Sequence, residues 1–173
     1  MSLLQKMFGK RQKRTHPYCA ALIAAAGSST RYGGENKLLQ TLDGLPVLVR
    51  TLLTIDRVEG IDEIVIAARE DELLPYAELC KTFGLRKPVK VIVGGATRTE
   101  SVLRAALEAS PETEFFAVQD GVRPLVTVEL IDEVLDAAAC YRRWWEGRKY
   151  PKTTWTIDPC YDEPLCGSGY RWW

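Results

Sequence analysis

The chain has 173 residues, 46% of them apolar and 27% charged, with 23 basic and 23 acidic side chains and a formal net charge of zero. That length is enough to bury one sizeable core, and the balanced charge gives no global attraction to nucleic acid or to an acidic membrane surface. No apolar run reaches the roughly 18 residues that a membrane-spanning helix needs, so a soluble, cytoplasmic protein without nucleic-acid or membrane partners is expected.

Residues 1–17 carry Lys6, Lys10, Arg11, Lys13 and Arg14 and no acid. Ser2-Leu3-Leu4 is too short for the apolar core of a secretory signal. An organelle-targeting peptide stays open, and a basic flexible tail is the expectation. The only histidine, His16, precedes the first strand, and one histidine without partners does not make a metal site or a catalytic dyad. Five cysteines at irregular spacing, with no CxxC pair, read as reduced thiols.

From Tyr18 to about Ala139 strand-like and helix-like segments alternate. Apolar runs at Ala20–Ala26, Ile61–Ala68, Val89–Val93 and Phe115–Val118 predict strands. The segments Pro46–Val58, Asp71–Phe83, Thr99–Ala109 and Val128–Ala139 have helical periodicity, with Pro46 suited to a first turn and Gly84 to a helix end. Such alternation implies an α/β fold with a mainly parallel sheet and helices on its faces. Right-handed crossovers then bring the loops that follow the strands to one edge, where these folds bind ligands.

Three of those loops carry unusual residues. The first strand breaks into Gly27-Ser28-Ser29-Thr30, whose small residues let backbone amides approach a phosphate. Arg31 and Lys37 follow, with Gly33-Gly34 between them. This pattern predicts a nucleotide phosphate site, with a tight turn carrying two solvated charges as the other reading. After the third strand comes Gly94-Gly95-Ala96-Thr97-Arg98-Thr99-Glu100-Ser101. Here the glycines admit a ligand close to the backbone and Arg98 and Ser101 offer donors, or Thr99 or Ser101 merely caps a helix. After the fourth strand comes Gln119-Asp120-Gly121-Val122-Arg123-Pro124. Asp120 is placed to hold Mg²⁺ on a triphosphate, or else to form a structural pair with Arg123.

Taken together, AAGSSTRYGGENK, GGATRTESV and QDGVRP resemble the 2-C-methyl-D-erythritol 4-phosphate cytidylyltransferase family. The resemblance covers Tyr18 to about Ala139. It implies a Rossmann-like nucleotidyltransferase fold and a Mg²⁺-dependent transfer of CMP from CTP to 2-C-methyl-D-erythritol 4-phosphate, a polyol phosphate, with release of pyrophosphate, in isoprenoid precursor synthesis. It also implies roles for residues. Arg31 and Lys37 match the pair that stabilises the pentacoordinate transition state. Ala25, Ala26 and Gly27 would line the nucleotide, and Gly94, Gly95, Arg98 and Ser101 would recognise cytosine and ribose. Asp120 matches a residue near metal and substrate, and Arg123 one that steadies its loop. A homodimer is implied as well.

The chain departs from the family pattern in places. Asn36 stands where the family usually has Pro, Gln119 where it usually has His, and the Arg31-to-Lys37 spacing is one residue short. The DGVRP segment is also similar to ribitol-5-phosphate cytidylyltransferases. A dehydrogenase is disfavoured, because GxGxxG spacing is lacking and no acid ends the second strand at Ala67-Ala68-Arg69. A CTP-binding remnant without catalysis is a further reading.

Beyond Cys140 the composition changes. All five tryptophans lie there, no helix or strand period is visible, and the dimer arm and distal site residues of the family find no match. Residues 1–17, 18–139 and 140–173 are therefore expected to be a tail, a partial nucleotidyltransferase domain and an irregular Trp-rich segment. A coding frameshift near codon 139 is the expected origin of the last, with truncation of the sheet and weak or absent turnover as its consequences.

Overall fold

The computed structural model describes residues 16–27, 36–145 and 154–156. A five-stranded, wholly parallel sheet forms its centre, with strands β1 (Cys19–Ala24), β4 (Glu63–Ala68), β5 (Val89–Val93), β6 (Phe115–Asp120) and β7 (Thr154–Thr156) in the order β5-β4-β1-β6-β7. A two-stranded hairpin, β2 (Thr41–Leu42) and β3 (Leu45–Pro46), follows β1. The helices are α1 (Val47–Arg57), α2 (Leu73–Thr82), α3 (Arg98–Glu108) and α4 (Val128–Trp145).

Position in the sheet explains the composition of each strand. β1 lies between β4 and β6, so CAALIA is buried on both faces nearly throughout. β4, EIVIAA, is buried at every residue. β5 is an edge strand, half-buried, with Lys90 exposed. Side chains of alternate parity sort into two cores. Ala21, Ile23, Ile64, Ile66 and Ala117 face Leu52 and Ile55 of α1, Tyr76 and Cys80 of α2, and Ile131 and Ala138 of α4. Ala20, Leu22, Val65 and Val118 face Ala105 of α3. Helices thus cover both faces of the sheet, as the alternating pattern implies.

Hand follows from these assignments. The β1–α1–β4 and β4–α2–β5 crossovers move one way along the sheet over the first face, and β5–α3–β6 returns over the second. All three share one hand. From β6 to β7 the chain moves in the return direction with α4 on the first face, so this crossover has the opposite hand, an arrangement found in only about 2% of parallel connections.

The sequence-derived elements recur with small shifts. The second helix begins at Leu73 after a 3₁₀ turn at Glu70–Glu72, and Gly84 ends it at φ 63°, the left-handed region that glycine tolerates. The helix predicted to end at Ala139 runs on to Trp145, and Thr154–Thr156 pair with β6, within the stretch read as lacking any period. The remainder of that stretch and the basic N-terminal tail lie outside the described residues. The β2–β3 hairpin is an addition. Asp43 (φ 51°) and Gly44 (φ 78°) form its turn, and an Asp-Gly pair is the signal of a turn with both central residues at positive φ.

The thiols of Cys19 and Cys80 are unpaired and buried, and burial pushes them up to about 12 and about 11 respectively. Asp56, 5% exposed, ties α1 to the turn before β5. It accepts the backbone N–H groups of Arg86 and Lys87, both at 2.9 Å, and Arg86 Nε at 3.0 Å. Burial alone would raise this carboxyl, but those donors outweigh it and hold it below its ordinary value. Asp56→Ala is expected to reduce the unfolding free energy by about 2–3 kcal/mol at pH 7. Because the folded-state pKa is depressed, that stabilisation is present above the unfolded-state value and lost as pH falls through the folded one. Urea unfolding of both proteins at pH 7 and pH 3 checks this, and a gap that fails to narrow in acid contradicts it.

Candidate functional site

The order of strands reverses on either side of β1, and three loops meet at the C-terminal edge there, the position at which doubly wound sheets bind ligands. Backbone hydrogen bonds continue beyond the strands and hold the loop starts together. Ala25 N donates to Ala67 O at 2.8 Å, Gly94 N to Ala68 O at 2.8 Å, and Gly121 N to Ala24 O at 3.0 Å. Ala25 is 2% exposed and Gly27 is exposed, so the chain climbs from core to solvent over three residues.

The loops after β1 and β5 touch. A Cβ placed on Gly94 would stand 2.5 Å from Cβ of Ala26 and 3.0 Å from Oγ of Ser101. Gly94 is therefore needed for space, not for an unusual φ. A Cβ on Gly95 would collide with the Glu100 side chain.

The polar groups of this loop are largely spent on the loop itself. Ser101 Oγ accepts Gly95 N at 2.9 Å and donates to Thr97 O at 2.9 Å, and Ser101 is 3% exposed. Sequence reasoning offered Ser101 as a donor for a ligand; its hydroxyl instead braces the loop. Thr97, not Thr99 or Ser101, caps α3, accepting Glu100 N at 3.1 Å. Glu100 accepts Ala96 N at 2.9 Å and pairs with Arg104, and these donors hold its carboxyl below the usual range. Arg104 also donates to Gly94 O at 2.8 Å. The Thr97-x-x-Glu100 spacing is the signal that could have found this cap.

Arg98 bridges loops. Its Nε lies 2.9 Å from Oδ1 of Asp120, while Arg123 Nε lies 3.4 Å from Oδ2. The Asp120–Arg123 pair follows the sequence reading, and Arg98 is its unforeseen third member. Arg98 is half-exposed and Arg123 and Asp120 are about a quarter exposed, so Arg98 presents an exposed guanidinium face to an anion. Lys37 stands in the turn after Asn36, half-buried. Arg31 and the rest of Ser28–Glu35 lie outside the described residues. Beside the site, Gln119 is 2% exposed and neither polar atom of its amide has a hydrogen-bond partner.

Among the described residues no cluster of three or more His, Cys, Asp or Glu side chains is placed to hold a metal ion. Asp120 offers one carboxylate, already engaged by two guanidinium groups. That donor set fits only a metal whose remaining ligands come from a bound phosphate chain and water, which is how Mg²⁺ is commonly held. Likewise, no helix among the described residues is long and apolar enough to cross a membrane.

Residues 19–143 match a family profile described as 2-C-methyl-D-erythritol 4-phosphate cytidylyltransferase. The chain is 41% identical over 118 residues to a protein of that name from Bacillus cytotoxicus, covering 68% of this chain and 52% of the relative. It is 37% identical over 121 residues to the Bacillus cereus protein of the same name, covering 69% and 53%. The structure of 4-diphosphocytidyl-2C-methyl-D-erythritol synthase from Anaerococcus prevotii is similar with a TM-score of 0.61 at 28% identity, over 70% of this chain and 51% of that one. The chain thus spans about half the length of the curated relatives it matches.

Proposed function

We propose that this chain, which belongs to the 2-C-methyl-D-erythritol 4-phosphate cytidylyltransferase family, transfers CMP from CTP to 2-C-methyl-D-erythritol 4-phosphate and releases pyrophosphate. Residues 18–139 form the nucleotidyltransferase unit, acting in the cytoplasm. The observation that carries the reading is the convergence of the Ala25–Gly27, Gly94–Arg98 and Asp120–Arg123 segments at the switch point of the sheet, cross-linked through Arg98 and Asp120.

A phosphate oxygen of the acceptor attacks the α-phosphorus of CTP, and the bond from that phosphorus to the β-phosphate oxygen breaks. The nucleophile is already ionised near neutral pH, since the second pKa of a phosphate monoester is about 6. The reaction therefore asks for no general base, in keeping with a site that draws on cations. Negative charge grows on the α-phosphoryl oxygens and the leaving pyrophosphate. Lys37 and Arg31 stabilise it, most strongly where water is excluded. Ala25, Ala26 and Gly27 line the nucleotide with backbone only. Gly94 and Gly95 admit the base and ribose, Arg98 supplies a directed cation, and Ser101 keeps that loop in shape. Asp120 would hold Mg²⁺, with Arg123 steadying the carboxylate. The bound metal supplies charge neutralisation on the phosphate chain.

The test is calorimetric titration with CTP followed by a pyrophosphate-release assay, with 2-C-methyl-D-erythritol 4-phosphate and ribitol 5-phosphate as acceptors. Release with the first acceptor and not the second supports the proposal. Binding without release makes the chain a CTP-binding unit, and absence of CTP binding overturns the reading.

Asp120 gives a sharper expectation. Asp120→Asn removes the negative charge that Arg98 engages at 2.9 Å, so CTP affinity measured without divalent metal is expected to rise about threefold to tenfold. Pyrophosphate release with Mg²⁺ is expected to fall by about tenfold or more. A drop in metal-free affinity would instead mean that Asp120 serves chiefly to aim Arg98.

A further inference from the structure

The residue before Lys37 is held more tightly than a loop position requires. All three hydrogen-bonding positions that the Asn36 amide uses are filled. Its Oδ1 accepts Leu38 N at 2.9 Å, and its Nδ2 donates to Glu72 Oε1 and, at 2.9 Å, to Tyr76 Oη. Glu72 sits in the 3₁₀ turn after β4 and Tyr76 in α2, so the bonds join segments that lie 36 and 40 residues apart in sequence.

Both anchors are buried. Tyr76 is fully enclosed, and the Glu72 side chain is 7% exposed, with Arg69 Nη2 2.7 Å from its Oε1. A carboxylate taken out of water needs donors, and Asn36 and Arg69 both donate to the Glu72 Oε1, while its Oε2 has no partner. Tyr76 in turn fills the core under β4, so it cannot move without disturbing the packing. On the other side of Lys37, Leu38 is 5% exposed in the same core, and its carbonyl accepts Leu48 N at 3.0 Å. Leu39 N to Asn36 O and Gln40 N to Lys37 O close the turn at 3.2 and 3.3 Å. Lys37 is thus the one residue between two fixed points.

We propose that Asn36 is a positioning residue, clamped by Glu72 and Tyr76, that sets where the Lys37 side chain leaves the backbone and so aims its ammonium at the reacting phosphates. The aiming step rests on the function proposed above; the clamp itself does not. Glu72 and Tyr76 support it from outside the loop. Their part was not legible in the sequence, where Glu72 belongs to an acidic run and Tyr76 to a helix face.

The experiment compares the full chain with Asn36→Asp, with the double variant Asn36→Asp/Glu72→Gln, and with Tyr76→Phe. Asn36→Asp keeps the acceptor for Leu38 N but sets a carboxylate against Glu72. The double variant reverses donor and acceptor between positions 36 and 72, and Arg69, which in the parent donates to the same Glu72 Oε1 as Asn36, is left to pair with the new carboxylate at position 36. Two readouts are taken: amide hydrogen exchange at Leu38 to Gln40, which needs no ligand, and pyrophosphate release beside CTP affinity. Asn36→Asp is expected to lose exchange protection in that turn and, because small misplacements of a charged group near the reacting atoms are costly, to lose about 10- to 100-fold in turnover while CTP affinity stays within about threefold. The double variant is expected to regain both. Tyr76→Phe keeps the ring and loses only the hydroxyl, so it tests the clamp should Asn36→Asp fail to fold, and faster exchange at Leu38 to Gln40 is expected. Unchanged exchange in the folded variants, or no recovery in the double variant, overturns the clamp. A parent chain that neither binds nor turns over CTP overturns the function proposed above, and exchange then judges the clamp alone. Exchange that follows the clamp while relative turnover does not change overturns the aiming role.

Discussion

Gly94→Ala is expected to cost about 2–3 kcal/mol of stability, in the range of overpacked cores, and to weaken CTP binding by at least about tenfold through the shift it forces in a loop proposed to line the nucleotide. The added methyl would sit 2.5 Å from Ala26 Cβ and 3.4 Å from the carbonyl oxygen of Ala68. Neither neighbour has a flexible end that can swing aside, since Ala26 has no further side-chain atoms and Ala68 O accepts Gly94 N at 2.8 Å. The loops after β1 and β5 must therefore separate, and both are proposed to line the nucleotide. Urea unfolding and calorimetric titration with CTP measure the two effects. The pair Gly94→Ala/Ala26→Gly removes the opposing methyl and should recover most of both losses. A single variant that binds CTP like the parent would show that this contact does not shape the site.

Lys37→Ala is expected to lower turnover by about 10²- to 10³-fold, the usual consequence of removing one charge-stabilising group, while CTP affinity changes by no more than about threefold. The asymmetry follows from where charge appears. On the function proposed above, ground-state CTP would already carry its phosphate charge in a field shared by Arg98, Arg123 and a metal, whereas the transition state would add charge at the α-phosphoryl oxygens. An interaction that strengthens only there raises the rate without tightening binding. The rate of pyrophosphate release at saturating CTP, set beside the dissociation constant, separates the two. Equal losses in both would make Lys37 a ground-state phosphate contact, and the Asn36 clamp would then govern affinity.

The two substitutions differ in kind. Gly94 acts through the exclusion of volume and should be rescued by making room elsewhere. Lys37 acts through charge, and no change in packing should restore it.

Much of the architecture was legible from pattern alone. CAALIA and EIVIAA announce buried strands because a central strand has no solvent face, and β5 admits Lys90 because an edge strand does. The helix ends at Gly84 because a left-handed residue satisfies its last carbonyls. The Asp43-Gly44 turn and the Thr97-x-x-Glu100 cap are legible too, since both are short-range motifs. The candidate loops were visible because glycines, cations and an acid are uncommon immediately after apolar strands.

Local sequence thus determined this protein's strands, helices, turn positions and loop chemistry, because these depend on contacts within a few residues and on which faces are apolar. Tertiary structure alone decided how those loops are joined. Arg98 reaches Asp120 across 22 residues, and Asn36 reaches Glu72 and Tyr76 across 36 and 40. Such bonds have no period or spacing in the chain. They arise because a parallel sheet brings the ends of its strands to one edge, where buried polar groups must find partners or bear the cost of lost hydration. The same requirement turned Ser101 from an apparent ligand donor into a brace, since a hydroxyl 3% exposed bonds first to the backbone around it.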